Sequence, residues 1–344
     1  MTRPLNTKIL ILSISGIVLL TLTAIGLFAY FSLFGAPQTK AEPERFIVSM
    51  NQSKQDLIAK LHEQGFIKSE WGFNYALEGN DIQPGGYKIS KSMTAWEMAK
   101  ALKEPYMKWV VIPEGLRKEQ IGELIGDALS WNEQQKKDWA VKYTAMAYDQ
   151  LEGIYFPDTY LLPKDETVLQ ISDRLRAKFN EKFKPYANKF VTANIQWTTA
   201  LKLASIVQRE AAGKSDMPLV AGILWNRLLK GMKLEADDTI QYIRDDVIHY
   251  GEARFDAQPK NYTSKGDWWK PIKLADKQIE SPYNTYRNKG LPPHPICNPG
   301  LDAIDAVLNS ADTECLYYLH DSSGQIHCAK TYEEHKANIE KYLK

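Results

Sequence analysis

The sequence predicts an α+β protein with an N-terminal transmembrane helix, a small strand-and-helix module and a larger mixed α/β domain. Three observations support this class. The chain begins with a long uncharged apolar run, short apolar strand patterns alternate with amphipathic helix patterns after it, and the composition is that of a globular protein, with 44% hydrophobic and 25% charged residues. The net charge is +1 and no basic stripe is present, so no nucleic-acid partner is expected.

The first element is an apolar run from Ile9 to Phe34 that contains no charged side chain. A helix rises about 1.5 Å per residue, so a run of this length can cross a hydrocarbon core about 30 Å thick. The run is longer than the apolar region of a signal peptide, and no Ala-x-Ala site follows it, so we expect an uncleaved anchor. Arg3 and Lys8 precede it, which places residues 1–8 in the cytoplasm and everything after the anchor outside.

The next two segments are a linker at residues 35–44, rich in proline, small and charged residues, and a module at residues 45–105. The module has a short strand, two helices, a second strand and a third helix in order. The residues that mark these elements are Phe46–Val48, a helix capped by Asn51 or Ser53, a helical piece near Trp71–Leu77, the strand after Pro84, and a helix Ala95–Leu102 capped by Thr94.

Residues 106–344 are predicted to form the larger domain, and its first half is mainly helical. Helical periodicity fades after about residue 231, where turns and short strands are expected. The marking segments are the strand Trp109–Ile112, the helix Lys118–Leu129, the mostly helical stretch 130–196, two helices within 198–231, the helix Asp302–Asn309, a hairpin flanked by Cys315 and Cys328, and the helix Tyr332–Tyr342. The spacing of the two cysteines does not establish a disulfide.

The first of the two helices within 198–231 places a carboxylate on its apolar side. Leu203, Val207 and Glu210 are spaced at i, i+4 and i+7, which is one helical face, while Lys202 and Arg209 are predicted to be solvated on the opposite side. A carboxylate on an apolar face is costly unless it is paired, protonated or used in chemistry. Glu210 is therefore a candidate catalytic acid.

The structural alternative is a buried glutamate that is paired with Arg209 or Arg227. The sequence leaves this alternative open, because ion-pair networks also occupy apolar faces.

The order and spacing of several motifs resemble the endolytic murein transglycosylases, the YceG-like family. The matching segments are the apolar anchor, GGYKI, IPEG at Ile112–Gly115, LEGIYFPDTY at Leu151–Tyr160, LASIVQREA at Leu203–Ala211, WNRLLKGMKLEADDTIQY at Trp225–Tyr242, SPYNTYRNKGLPPHPICNPG at Ser281–Gly300, the hairpin with Gly324 and His327, and the pair Glu334-His335. Two departures stand out: the usual Asp-Pro-Thr reads Asp237-Asp238-Thr239, and the usual Pro-Pro-Gly reads Pro292-Pro293-His294.

The resemblance implies a single-pass protein of the bacterial cell membrane whose module is LysM-like and whose larger domain is a YceG-like catalytic domain facing the cell wall. It implies cleavage of the MurNAc–GlcNAc β-1,4 bond inside nascent glycan strands, with a 1,6-anhydro-MurNAc end as product and termination of strand elongation as the role. The implied substrate is peptidoglycan, the candidate protein partners are peptidoglycan synthases, and no cofactor is expected.

The resemblance places the catalytic glutamate at Glu210, and Gln208 occupies the position two residues earlier that is often acidic. A single carboxyl group can act as acid and then as base when the C6 hydroxyl of the same sugar is the nucleophile. The candidate substrate-binding residues are the polar members of the matching motifs: Glu152, Asn226, Thr239, Gln241, Tyr283, Asn284 and Tyr286.

Structural roles remain open for several of these candidates. Asn226 can cap or bridge, Tyr283 and Tyr286 can pack, and Glu152 can hold a turn. The late histidines show no metal-ligand spacing, so no metal is expected.

Two other functions remain open. A hydrolytic muramidase would use Asp237 or Asp238 as a second carboxylate, and a non-catalytic wall-binding scaffold would not need Glu210.

Overall fold

The computed structural model describes residues 7–143, 152–250 and 266–344. The predicted cytoplasmic segment up to residue 6, with Arg3, and Leu151 of the LEGIYFPDTY motif lie outside the described residues. The chain forms two compact units. Unit 1 comprises Met1–Trp109 with Leu161–Asp165, and unit 2 comprises Val110–Tyr160 with Glu166–Lys344.

Unit 1 begins with helix α1, Thr7–Phe34. Its segment Ile11–Phe34 is long and apolar enough to cross a membrane. The predicted apolar helix is therefore confirmed as a helix.

The predicted order of elements after α1 is confirmed. They are β1 Glu44–Val48, α2 Lys54–Glu63, α3 Glu70–Ala76, β2 Gly85–Ile89 and α4 Ala95–Ala101. The caps explain where the helices begin: the Ser53 hydroxyl accepts from Asp56 N at 3.1 Å, and Thr94 forms a reciprocal capping box with Glu97.

The strands form an antiparallel arrangement whose inner side carries the core of unit 1. β1 pairs with β2 along its whole length, from Glu44 opposite Ile89 to Val48 opposite Gly85. Two further strands, β3 Met107–Val111 and β4 Thr159–Pro163, extend the sheet in the order β1-β2-β3-β4. The stretch 130–196 is mostly helical in its described residues, as expected, but it also contains β4, which was not expected. A strand that pairs with a distant segment carries little local signal.

Unit 2 is largely helical and ends in a hairpin and a helix. Its elements are α5 Lys118–Leu129, α6 Glu133–Asp138, a π-helical turn Trp139–Tyr143, α7 Val168–Thr192, α8 Trp197–Glu210, α9 Met217–Leu229, α10 Asp237–Tyr250, a 3-10 turn Leu274–Gln278, α11 Leu301–Leu308, β5 Tyr317–His320, β6 Ile326–Ala329 and α12 Tyr332–Tyr342.

Helix α8 lies at the centre of this unit. Leu203, Ile206 and Val207 are fully buried, and α8 packs against α9 and α11. A hydrophobic stripe at helical spacing accounts for this burial. The end of α8 is consequently fixed by the packing of its own core face.

The expectation that turns and short strands follow residue 231 is wrong at α10, where Asp237–Tyr250 form a helix. Its buried face carries Asp238, Asp245 and Asp246 beside Ile240 and Ile243, so acids interrupt the apolar stripe. Aspartate is also a weak helix former. Tertiary partners stabilise this helix: the Asp246 carboxylate accepts from Arg117, and Asp245 Oδ2 accepts from Trp269 N at 2.9 Å.

The cysteines divide into a pair and a buried thiol. Cys315 and Cys328 form a disulfide across the segment that contains the predicted hairpin. Cys297 is buried, and its thiol donates to the Ser205 carbonyl at 3.2 Å.

Candidate active site

Glu210 is the last residue of α8, and the backbone turns to an extended conformation at Ala211. Its carboxyl group is partly buried, and its Oε2 accepts a hydrogen bond from the Tyr318 hydroxyl at 2.7 Å. Burial is the main cause that raises the pKa of Glu210, and the charge of Asp237 adds to it, whereas Tyr318, His320 and Arg227 act in the opposite direction. The negative end of the helix dipole also disfavours a carboxylate at this position.

Tyr318 reaches Glu210 from the hairpin β5–β6. Tyr318 lies opposite Cys328 in the register of the two strands, so the disulfide closes the hairpin beside it. Two residues after Tyr318 on the same strand, His320 Nε2 lies 2.7 Å from Asp216 Oδ2. The Asp216 carboxylate also accepts from Ala212 N and Gly213 N, each at 3.0 Å. The hairpin therefore braces the loop that follows Glu210.

Helix α9 holds the start of this hairpin. Asn226 Nδ2 donates to the carbonyls of Thr313 at 2.6 Å and Cys315 at 3.2 Å. Arg227 Nε donates to the Leu316 carbonyl at 2.6 Å. The amide nitrogen of Asn226, a residue expected to bind sugar, is thus engaged in positioning the strand that carries Tyr318.

The first turn of α10 forms the acidic side of the site. Asp237 Oδ1 accepts from the Tyr286 hydroxyl at 2.5 Å, and the Lys277 ammonium lies 3.9 Å from the centre of the Tyr286 ring. Asp238 is buried, and its Oδ2 has no hydrogen-bond partner among the described residues. Burial, followed by the charge of Glu210, raises the pKa of Asp238 well above its usual range. The structure therefore brings Tyr286, Asp237 and Asp238 into the electrostatic environment of Glu210.

Gln241 lies one helical turn after Asp238, so the two side chains share a face of α10. Its Oε1 is buried and has no hydrogen-bond partner in the part of the chain that the structure describes. Buried acceptors without a partner are rare in folded proteins, so this oxygen is a candidate for a functional role.

Three other candidates hold the backbone around the site. The Thr239 hydroxyl bonds to the Ala236 carbonyl at 2.7 Å and lies 2.9 Å from the Thr285 hydroxyl. Asn284 Nδ2 donates to the Ile279 carbonyl at 2.8 Å, and its Oδ1 accepts from Tyr286 N at 3.0 Å. Tyr283 is buried, and its ring centre lies 5.2 Å from that of Tyr242. These contacts set the position of Tyr286.

Glu152 is fully buried and belongs to a turn network. Its Oε1 accepts from Lys118 N at 2.9 Å and from Asn298 Nδ2 at 2.7 Å, while Oε2 has no hydrogen-bond partner within the described ranges. Burial, followed by the charge of Glu119, raises the pKa of Glu152 to about 8. Its contacts are those expected of a residue that holds a turn.

Asn298 was not among the predicted site residues, yet it connects three of the matching motifs. Its Oδ1 accepts from Gly153 N at 3.1 Å and Tyr155 N at 2.8 Å, and its backbone N donates to the Leu116 carbonyl at 2.9 Å. Its carbonyl accepts from Gly115 N at 2.8 Å. The available signal was its position within the motif that ends at Gly300.

The expectation that Arg209 is solvated is wrong. Its guanidinium lies 4.2 Å from the centre of the Trp269 ring, and its Nε is buried without a hydrogen-bond partner among the described residues. Arg227 donates instead to backbone carbonyls, including that of Leu234 at 2.6 Å. For the residues that the structure describes, neither arginine forms an ion pair with Glu210, whose hydrogen bond is to Tyr318.

The histidines near the site pair with carboxylates. His327 Nε2 lies 2.8 Å from Asp321 Oδ2, and His320 Nε2 lies 2.7 Å from Asp216 Oδ2. The described ranges hold no group of three or more His, Cys, Asp or Glu residues arranged to bind a metal ion.

The fold and the site define a class of α+β protein built around one partly buried carboxyl group at a helix end. The chain belongs to the YceG-like family, whose profile matches residues 46–341. The similarity therefore covers the module and nearly all of unit 2.

Curated relatives include two proteins named endolytic murein transglycosylase. The chain is 28% identical over 331 residues to the one from Streptococcus pneumoniae serotype 2 (strain D39 / NCTC 7466), with 84% of this chain and 56% of that protein covered. It is 27% identical over 322 residues to the one from Bacillus subtilis (strain 168), with 86% and 84% covered. The chain thus spans little more than half the length of the pneumococcal relative.

A crystal structure of a YceG-like protein from Listeria monocytogenes shares the fold. The TM-score is 0.54 at 24% identity, and the match covers 87% of this chain and 99% of that one.

The raised pKa of Glu210 predicts how Glu210→Gln changes thermal stability. The folded state retains a proton that the unfolded state loses at the ordinary glutamate pKa, so wild-type stability falls as pH rises from there through the raised pKa. Glutamine carries no charge. We expect the variant to melt about 2–4 °C higher than wild type at pH 8, with the gain vanishing at pH 4.

Calorimetry of both proteins across this pH range measures the difference, with the exposed Glu340→Gln as control. A variant that melts below wild type at neutral pH would instead indicate a structural ion pair at Glu210.

The contacts of Glu152 predict that it stabilises unit 2. Glu152→Ala removes the acceptor for Lys118 N and Asn298 Nδ2 and leaves a cavity, so it should lower the free energy of unfolding by about 2–4 kcal/mol. Glu152→Gln keeps an acceptor oxygen and should cost much less at pH 7, where the raised pKa already favours the neutral acid. Urea unfolding compares the two. An alanine variant with wild-type stability but weakened glycan binding would identify Glu152 as a sugar ligand.

Proposed function

We propose that this protein is a membrane-anchored endolytic lytic transglycosylase that cleaves MurNAc–GlcNAc β-1,4 bonds in nascent peptidoglycan strands. Its products would carry 1,6-anhydro-MurNAc ends, and cleavage would terminate strand elongation. The observation that carries the proposal is the partly buried Glu210, which accepts from Tyr318 and has a raised pKa. The family and the names of the curated relatives support it.

Glu210 would act first as an acid. A carboxyl group whose pKa is raised retains its proton closer to neutral pH, and this proton goes to the glycosidic oxygen as the bond to C1 breaks. Positive charge then develops on the sugar ring. The Tyr318 hydroxyl, at 2.7 Å, stabilises the carboxylate that remains on Glu210.

Glu210 would then act as a base. Its carboxylate takes the proton of the C6 hydroxyl of the same MurNAc, and O6 forms a bond to C1 to close the anhydro ring. The nucleophile belongs to the substrate, which gives it the rate advantage of an intramolecular group. A second carboxylate as nucleophile or water-activating base is therefore not required.

The remaining candidates would divide into two roles. Tyr286 and Gln241 would contact the glycan, since Tyr286 adjoins Asp237 and Gln241 has a buried oxygen without a partner within the described residues. Asn226, Thr239, Tyr283, Asn284 and Glu152 would act on the glycan through the backbone that they position.

The proposal also covers placement in the cell. Helix α1 would anchor the chain in the cell membrane, with residues 1–8 cytoplasmic and residues 35–344 outside. Residues 45–105 would form a LysM-like wall-binding module, 106–344 the catalytic domain, and peptidoglycan synthases would be the protein partners. The charges before the apolar helix and the helix–sheet order of the module support these assignments.

Product analysis tests the reaction. The full chain in detergent and its Glu210→Gln variant are incubated with uncrosslinked glycan strands, and the ends are identified by mass spectrometry. Wild type should produce internal fragments with 1,6-anhydro-MurNAc ends, and the variant should be slower by about 10²–10⁴-fold, the usual contribution of a general acid–base group.

The other outcomes discriminate the alternatives. Reducing MurNAc ends that depend on Glu210 would indicate a muramidase, in which Asp237 or Asp238 activates water. No cleavage by wild-type protein with an intact melting transition would favour a wall-binding scaffold.

The groups around Glu210 predict opposite shifts in the pH profile. Asp237→Asn removes a charge that raises the pKa of Glu210, so the alkaline limb of kcat/KM should move to lower pH. Tyr318→Phe removes a hydrogen bond that lowers this pKa, so the limb should move to higher pH. Steady-state rates from pH 4 to 9 measure both.

Tyr317→Phe is the matched control, because Tyr317 is adjacent on β5 but packs against Tyr332 and His335. If the alkaline limb of kcat/KM falls at the same pH in the Asp237, Tyr318 and control variants, a group other than Glu210 determines that limb.

A further inference from the structure

Unit 1 carries an exposed aromatic surface. Outside α1, its described residues leave three large hydrophobic side chains exposed, namely Met50, Trp71 and Tyr75. Trp71 is 63% exposed and Tyr75 is 60% exposed, and their rings stack at 5.7 Å. Two adjacent exposed aromatic rings are unusual on a water-facing surface and mark a place of contact.

These rings lie against the last residues of α1. The Phe34 ring centre lies 6.3 Å from Trp71 and 6.0 Å from Tyr75, and it stacks on Trp96 at 5.6 Å. The apolar segment Ile11–Phe34 therefore ends among aromatic side chains of α3 and α4.

The contact between α1 and α3 is direct. A Cβ atom on Gly72 would lie 2.3 Å from the Leu33 carbonyl oxygen, so only glycine allows this approach. Lys68 Nζ donates to the Phe31 carbonyl at 3.3 Å, as a second donor beside Gly35 N at 3.1 Å. The module is thus packed on the end of the helix.

The intervening segment is also tied down. Gln38 N donates to the Lys91 carbonyl at 3.0 Å, and the Ser90 hydroxyl donates to the Ala41 carbonyl at 2.7 Å. Residues 35–43 therefore follow the surface of the module and do not act as a free tether.

The ring of Tyr30, on α1, lies 5.3 Å from that of Phe34. We propose that Trp71, Tyr75, Trp96 and Tyr30 form a membrane-interface surface that seats the module of unit 1 on the lipid headgroups. The proposal rests on the proposed anchoring of α1. Because the apolar segment ends at Phe34, the boundary of the hydrocarbon core lies at the level of these rings. Tryptophan and tyrosine favour this boundary, where the ring meets lipid and the polar atom meets water.

The positive charge of Lys68 at the end of α1 also fits a surface that contacts lipid headgroups. The ammonium group of Lys68 lies at the last turn of α1, and a positive charge at this level is favourable beside anionic headgroups. The module would therefore keep a fixed orientation to the bilayer.

Fluorine NMR of the full chain in lipid nanodiscs tests the proposal. The nanodiscs contain phosphatidylethanolamine and phosphatidylglycerol, and the nine tryptophans are replaced biosynthetically by fluorotryptophan. The signals of Trp71 and Trp197 are assigned with Trp71→Phe and Trp197→Phe. Trp197 is the matched control, since it is 41% exposed and lies in α8 of unit 2.

A lipid that carries a nitroxide near its headgroup should broaden the Trp71 signal beyond detection and leave that of Trp197 visible. A water-soluble gadolinium chelate should have the reverse effect. A Trp71 signal that resists the nitroxide in chains that co-elute with nanodiscs would overturn the proposal. If the gadolinium chelate also leaves that signal unchanged, a protein or a second copy covers the surface instead.

Failure of the chain to co-elute with nanodiscs would overturn this surface together with the anchoring of α1. The reaction proposed for Glu210 would not be affected, because the product analysis in detergent tests it independently of insertion into nanodiscs.

Discussion

The site depends on one constraint, which is that α8 ends at Glu210 and that the fold keeps this carboxyl group partly buried. Leu203 and Val207 fix the rotation of α8 by burying its apolar face, and Glu210 lies on the same face. The packing of α8 therefore directs the carboxyl group to a partly buried position beside Tyr318. Its environment disfavours the charged form, and this cost is the property that an acid catalyst requires.

The groups around Glu210 shift its pKa in opposite directions. Asp237 makes ionisation of Glu210 harder, while the Tyr318 hydroxyl and the charges of His320 and Arg227 make it easier. A group that acts as an acid and then as a base needs both influences, since it must hold a proton first and stabilise its carboxylate afterwards. The second carboxyl group on the acidic side, Asp238, is buried and has a raised pKa of its own, so the site contains an additional titratable group.

The spacing of apolar residues predicted the helix α8 but did not lead to a prediction of the helix α10. The stripe that ends at Glu210 has unbroken helical spacing, and the structure places the helix within one residue of the expected start. In α10, Asp245 and Asp246 occupy the buried face, where Asp245 accepts from Trp269 N and Asp246 accepts from Arg117. Burial of these acids depends on partners from distant segments, so the acids weaken the apolar stripe by which a helix is recognised in sequence. β4 was hidden for the same reason, because its hydrogen-bond partners are remote in the chain.

The same distinction separates Glu210 from Tyr318. Glu210 could be singled out because a carboxylate interrupts an apolar stripe, which is a local contradiction. Tyr318 lies 108 residues away and reads as an ordinary strand tyrosine. Its role arises from the hairpin that Asn226 and Arg227 hold in place, each through carbonyl oxygens of the segment before β5. Sequence patterns therefore identify the group that must be kept uncharged, whereas the partners that tune it come from the tertiary fold.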